Sequence, residues 1–101
     1  MHIISLSFDD GLERSNQKIA EIYERYGLSA CFNVIALGHT ADFVPPDSYH
    51  HGFPKGDFAL WNELQGRGHE IMPHGLRHQN LAELPLEAAQ QAITSCLDVF
   101  T

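Results

Sequence analysis

The sequence predicts an α/β fold assembled from three strand–helix units. Strand-like apolar segments alternate with helical stretches three times along the 101 residues, and this alternation favours parallel strands joined by crossover helices. Polar strings follow the first and third of these strands, DDG at residues 9–11 and HGLRH at residues 74–78. A chain of this length forms one small domain at most, so we expect a single domain over residues 1–101.

The first predicted unit covers residues 2–27. The segment HIISLSF, residues 2–8, predicts a strand that breaks at the DDG string. A helix follows, because apolar residues recur there at the spacing of one helical face: Ile19, Ile22, Tyr23 and Tyr26. Gly27 then stands where a glycine commonly ends a helix.

The second predicted unit opens with the strand ACFNVI at residues 30–35. A long loop over residues 36–56 follows, holding Pro45-Pro46 and His50-His51, and a loop of this length in a small domain is usually functional or mobile. Asp57 is suited to cap a helix that the string GRG at residues 66–68 would end. The apolar residues of that helix are Ala59, Leu60, Trp61 and Leu64.

The third predicted unit consists of the strand HEIM at residues 69–72, a loop over residues 73–80 and a last helix. Pro85 suits the first helical position. The predicted buried side carries Leu86, Ala89, Ile93, Leu97 and Phe100. Neither a glycine nor a basic residue closes this helix, and three parallel strands leave sheet edges to be covered. We therefore expect a fold that continues beyond Thr101, or a homo-oligomer.

Composition narrows the classes of partner. The chain has 13 acidic and 6 basic residues with no basic stripe, which argues against nucleic acid and anionic membranes. No apolar run is long enough to span a bilayer. Neither a basic n-region nor an apolar h-region follows Met1, so a cytoplasmic location is expected unless a leader lies outside this chain. Cys31 and Cys96 lack a CxxC spacing and are predicted to be buried free thiols.

The two polar strings predict a metal site. The carboxyl ends of parallel strands meet at one rim, so the carboxylates of DDG and the histidines of HGLRH should face each other. Because Pro73 and Gly75 disfavour a regular helix, His74 and His78 are predicted to converge through a loop. One carboxylate and two imidazoles suit zinc or a similar divalent ion and leave positions open for water and substrate. The remaining carboxylate would then accept a proton from water.

These strings also resemble the motifs of a known family. The string SFDDG at residues 7–11 resembles the (T/S)FDDG motif of the polysaccharide deacetylases of carbohydrate esterase family 4, which share the NodB homology domain. ACFNV at residues 30–34 resembles that family's second strand, and residues 68–81 are similar to its GHEIxxHxxxHxxL segment. The motifs come in the family's order and cover nearly the whole chain. The resemblance implies a distorted (β/α) barrel of which this chain supplies roughly the N-terminal half.

Roles for individual residues follow from the resemblance. It implies that Asp9 is the general base and that Asp10, His74 and His78 bind a divalent metal ion, with zinc the expected one. The implied reaction is hydrolysis of an N-acetyl or O-acetyl group of a sugar polymer, which releases acetate. We expect hydrolysis of a carbon–nitrogen bond other than a peptide bond, in N-acetylated carbohydrate. Acetylated carbohydrate is therefore the expected partner. The motifs indicate no substrate-binding residue, although Phe43, Tyr49 and Phe53 in the long loop are candidates for contact with a sugar ring.

The chain departs from the family pattern in two respects. Gly75 stands where the family usually has Ser or Thr, which predicts a looser loop around the ligands. The family's later motifs, which supply an orienting Arg, an acidic–aromatic pair and a general-acid His, are absent from this chain. Two alternatives therefore stay open: a non-catalytic metal- or sugar-binding remnant, and a hydrolase of small amides or ureides. Outside the motifs, His69 is predicted to be structural, and His2 and His39 to face solvent.

Overall fold

The computed structural model of the chain describes residues 1–44 and 52–101. The strands are β1 (Ser7–Asp9), β2 (Cys31–Val34) and β3 (Glu70–Pro73), and the helices are α1 (Glu13–Arg25), α2 (Phe58–Gly66) and α3 (Leu86–Phe100). A 3₁₀ turn, Leu81–Glu83, precedes α3. Strands and helices alternate as the sequence predicts. The predicted loop positions Pro45-Pro46, Tyr49 and His50-His51 lie outside the described residues.

The three strands form one parallel sheet in the order β1-β2-β3, which confirms the prediction of parallel strands. The register aligns Phe8 with Phe32, and Phe32 with Ile71. Because successive side chains of a strand point to opposite faces, these three lie on one face. The next register row, which includes Asp9 and Asn33, lies on the other.

The helices pack on the Phe32 face of the sheet, and the core lies between them. Its buried side chains are Ala20, Ala30, Phe32, Val34, Leu60, Trp61 and Leu64. The rings of Phe8 and Tyr23 meet edge to face at 5.8 Å, and those of Phe58 and Phe100 at 5.3 Å. Full burial of a large apolar side chain stabilises a fold by about 1.5–3 kcal/mol. Phe32 and Trp61 therefore belong to the core.

The first strand is shorter than predicted. Residues 2–6 were expected in the strand, but β1 begins at Ser7. Ile3 and Ile4 are 91% and 82% exposed. The reason is pairing: β1 pairs with β2 alone among the described strands, and β2 starts only at Cys31, opposite Ser7. An apolar segment without a hydrogen-bonding partner does not form a strand, whatever its side chains.

The predicted buried faces of two helices are partly wrong. In α1, Asn16 and Ala20 are buried and Ile22 is exposed, as is Tyr26, which directly follows the helix. In α3, Leu86, Ile93 and Leu97 are exposed, and the inward side carries Ala89, Ala92, Cys96 and Phe100. Apart from Phe100, the side chains on this inward side are small, while the large apolar side chains of Leu86, Ile93 and Leu97 lie outside. The self-association expected from the sequence stays a prediction.

The observed helix ends agree with the sequence predictions more closely than the buried helix faces do. The Asp57 carboxylate accepts a hydrogen bond from the Leu60 amide at 3.0 Å and caps α2. Gly27 follows the end of α1 with a φ of +68°, the left-handed conformation that favours glycine. Helix α3 begins at Leu86, and Pro85 is its N-cap residue rather than its first residue. No helix among residues 1–44 and 52–101 has the length and apolar character needed to cross a membrane.

The two cysteines are free thiols in different surroundings. Cys96 is buried on the inward side of α3, as predicted. This burial raises the pKa of its thiol. Cys31 is only half-buried, which corrects the expectation of burial. Its side chain lies on the sheet face opposite Phe32, away from the helices that form the core.

Candidate metal centre

The candidate site is built where β1 and β3 end. Asp9 is the last residue of β1, and the Asp10 amide donates to the Asn33 carbonyl at 3.0 Å. The His74 amide donates to the Val34 carbonyl at 2.8 Å, directly after β3. Both polar strings therefore begin at the carboxyl ends of strands that flank β2, and the parallel sheet brings them to one rim.

Three side chains converge at this rim. One Asp10 carboxylate oxygen (Oδ1) lies 3.3 Å from His74 Nε2 and 3.6 Å from His78 Nε2. Ligand-type atoms of Asp10, His74 and His78 all lie within 4.8 Å of one another. We call these three residues the Asp-His-His cluster. The Asp10 side chain is 19% exposed, and those of the histidines are 31% and 37% exposed, so the cluster is accessible from solvent.

The cluster fits a divalent metal ion. Ligand atoms bonded to zinc at about 2.0–2.1 Å in a tetrahedral arrangement lie about 3.3 Å apart. The measured separations of 3.3 Å and 3.6 Å are close to that spacing. Two imidazole nitrogens and one carboxylate oxygen are also a donor set that catalytic zinc sites use, with a further position left open.

Asp9 lies beside the cluster and does not belong to it. Its Oδ2 is 4.0 Å from His74 Nε2, and its Oδ1 accepts a hydrogen bond from Asn33 Nδ2 at 2.9 Å. The Asp9 side chain is 53% exposed. Sequence reasoning missed Asn33. A polar residue near the end of an otherwise apolar strand was the available signal.

Backbone hydrogen bonds brace the loop that carries the two histidines. The Ala36 amide donates to the Gly75 carbonyl, and the Leu37 amide to the Leu76 carbonyl, both at 2.9 Å. Gly75 has a φ of +77°, a conformation that Ser or Thr adopts only with strain. The glycine thus permits a loop held by main-chain contacts, where the missing hydroxyl had suggested a looser one.

A small cavity of about 230 Å³ adjoins the cluster. Its lining residues include His74 and His78 together with apolar side chains, among them Leu76, Leu81 and Ile93. Of the loop aromatics proposed for sugar contact, the structure describes Phe43 and Phe53, and neither is among the residues that line this cavity. Phe43 is half-buried, and the exposed Phe53 lines a different cavity beside Leu12 and Arg14.

The other histidines among the described residues lie outside the Asp-His-His cluster. His69 is 3% exposed. Its Nδ1 accepts a hydrogen bond from the Ala30 amide at 3.0 Å, and its Nε2 lies 2.7 Å from Glu24 Oε2. Because Nδ1 accepts, the neutral ring carries its proton on Nε2 and donates it to Glu24. His69 is therefore structural, as predicted. His2 and His39 are exposed, which also agrees with the sequence analysis.

Comparison with known proteins gives one family. A family model described as polysaccharide deacetylase matches residues 1–101. Neither the curated proteins nor the solved structures yield a match to this chain.

Proposed function

The chain belongs to the polysaccharide deacetylase family, and from this premise we propose that it is a metal-dependent hydrolase that removes acetyl groups from N-acetylated carbohydrate. The bond cleaved would be a carbon–nitrogen bond other than a peptide bond. The observation that carries the proposal is the Asp-His-His cluster with the separate carboxylate of Asp9 beside it. We also propose that the three strand–helix units form part of a distorted (β/α) barrel.

Asp10, His74 and His78 would hold the divalent ion, and their donor set suits zinc. When bound, such an ion polarises a carbonyl group and makes a water molecule more acidic. The protein itself orients these ligand side chains. The Asp10 and His74 backbones are fixed by hydrogen bonds to β2, so both side chains project from the rigid sheet rather than from a free loop.

Asp9 would act as the base. Its Oδ2 lies near His74 and is not engaged by Asn33, so it can accept a proton from water at the edge of the cluster. As the water oxygen bonds to the acetyl carbon, Asp9 takes the proton. The carbon–nitrogen bond then breaks, the leaving nitrogen takes up the proton that Asp9 accepted, and acetate is released.

The test is acetate release from an N-acetylglucosamine oligomer by the zinc-loaded protein, measured for wild type and Asp9→Asn. Loss of the base should lower the rate by about 10²–10⁴-fold. Asp98→Asn is the matched control, because Asp98 is exposed near the end of α3, away from the cluster. This control should keep the wild-type rate.

Three results would contradict the proposal. Undiminished acetate release by Asp9→Asn would show that another group is the base. Zinc binding by wild type without acetate release from any acetylated sugar would instead favour a non-catalytic metal-binding role. Release of product from small amides but not from sugar oligomers would move the substrate to that class.

A further inference from the structure

Asp9 and Asp10 are adjacent in the sequence, yet only one of them lies in the Asp-His-His cluster. Asp10 Oδ1 is within 3.6 Å of both histidine Nε2 atoms, while Asp9 Oδ2 stops 4.0 Å from His74 Nε2. Both carboxylates are suitable zinc ligands by their chemistry. Something other than residue type must therefore keep Asp9 apart.

Asn33 contacts Asp9 directly. The parallel register pairs Asp9 with Asn33, so their side chains lie on the same face of the sheet. Asn33 Nδ2 donates to Asp9 Oδ1 at 2.9 Å. A hydrogen bond to an ionised carboxylate is stronger than one between neutral groups. Rotation of the Asp9 carboxylate toward the cluster would break it.

Cys31 orients the Asn33 amide. The Cys31 thiol lies two residues earlier on the same face, with Sγ 3.7 Å from Asn33 Oδ1. Burial raises the pKa of this thiol, as do the nearby Glu70 and Asp9 carboxylates, so the thiol keeps the proton that it donates. With its oxygen turned toward Cys31, the amide presents its NH₂ group to Asp9.

We propose that Asn33 is a positioning residue that holds the Asp9 carboxylate outside the metal-binding cluster, so that Asp9 stays a free base and does not become a fourth ligand. This inference rests on the proposed function. Its direct consequence concerns metal coordination: without the Asn33 amide, Asp9 turns toward the ion held by Asp10, His74 and His78.

The experiment uses Co²⁺ as the metal probe and the full chain as wild type, Asn33→Ala and Asn33→Leu. Visible absorption reports the ligands around Co²⁺, and titration gives the Kd. We expect both variants to change the spectrum and to bind Co²⁺ about tenfold tighter, within the range by which neighbours of ligands alter metal affinity. Adding Asp9→Asn to either variant should restore the wild-type spectrum. Asn62→Ala, at an exposed position of α2, is the control and should match wild type.

Four outcomes separate the alternatives. A wild-type spectrum and affinity in correctly folded Asn33→Ala and Asn33→Leu, with folding checked by thermal unfolding, would overturn the inference. Persistence of the altered spectrum after Asp9→Asn would also overturn it, because the change would not involve Asp9. Absence of Co²⁺ binding by wild type would overturn both the metal site and the role of Asn33. The expected Co²⁺ results without acetate release would reject the deacetylase proposal alone.

Discussion

Asp10 and His78 are the two non-glycine residues with positive φ in the described part of the chain, at +77° and +57°. Such conformations cost free energy for most residues, although Asp and His tolerate them better than bulky side chains do. Both residues belong to the Asp-His-His cluster. The backbone strain thus coincides with the site, which is where folded proteins usually tolerate it.

A glycine in the core gives a prediction about stability. A Cβ added at Gly56 would lie 2.5 Å from the Trp61 ring and 2.9 Å from Leu60. Gly56→Ala should therefore lower the free energy of unfolding by about 1–3 kcal/mol, because the buried ring cannot move aside. Urea unfolding measures the change. Gly66→Ala is the control: nothing lies within 4 Å of its added Cβ, and it should be neutral or slightly stabilising. Equal effects at both positions would contradict the steric argument.

At the scale of elements, polar contacts of Glu24 connect α1 to the segment between α2 and β3. Glu24 on α1 lies 2.7 Å from both Arg67 and His69. His69 also accepts the Ala30 amide just before β2. These contacts connect three segments that the sequence separates widely, and no local pattern predicts them beyond the structural assignment of His69.

These contacts of Glu24 predict a dependence of stability on pH. The hydrogen bond from His69, followed by the contacts with Arg67, lowers the pKa of Glu24 below its ordinary value of 4.5. A lowered pKa in the folded state contributes stability above the unfolded pKa, and that contribution is lost as the pH falls through the folded value. Glu24→Gln should therefore flatten the stability–pH curve below about pH 4.5. Unfolding by urea at several pH values, with Glu21→Gln on the same helix as control, would show this. A Glu24→Gln variant that loses stability at low pH as steeply as wild type would contradict this prediction.

The helix ends show what local sequence decides. The Asp57 cap and the left-handed Gly27 are both correctly predicted, because each depends on a few neighbouring residues. The start of α1 is different. Leu12 offers no capping side chain, and the Glu13 amide donates instead to the Pro54 carbonyl at 3.0 Å. A distant segment thus completes this helix terminus.

For the whole molecule, the candidate metal site links the two outer strands. Asp10 follows β1, and both histidines follow β3. An ion that binds only the folded chain should therefore raise its free energy of unfolding, and with it the Tm. When zinc is present at 100 times its Kd, the free energy of unfolding should increase by about 2.7 kcal/mol. We expect about one zinc per wild-type chain with this rise in Tm, and neither in His78→Ala. His2→Ala, at an exposed position outside the cluster, should behave as wild type. A zinc-independent Tm in wild type would mean that these residues do not assemble the site.

The sequence by itself determined the order of strands and helices, the end of α1 at Gly27, the Asp57 cap of α2, the family and the four residues proposed for the site. Each depends on residue type and short spacing, which can be read along the chain. Only the tertiary structure decided the length of β1, the buried faces of α1 and α3, and the contact of Asn33 with Asp9. These depend on pairing and packing between distant segments. The apolar residues of α3 are not all buried, because packing against the rest of the fold determines which side of the helix faces inward.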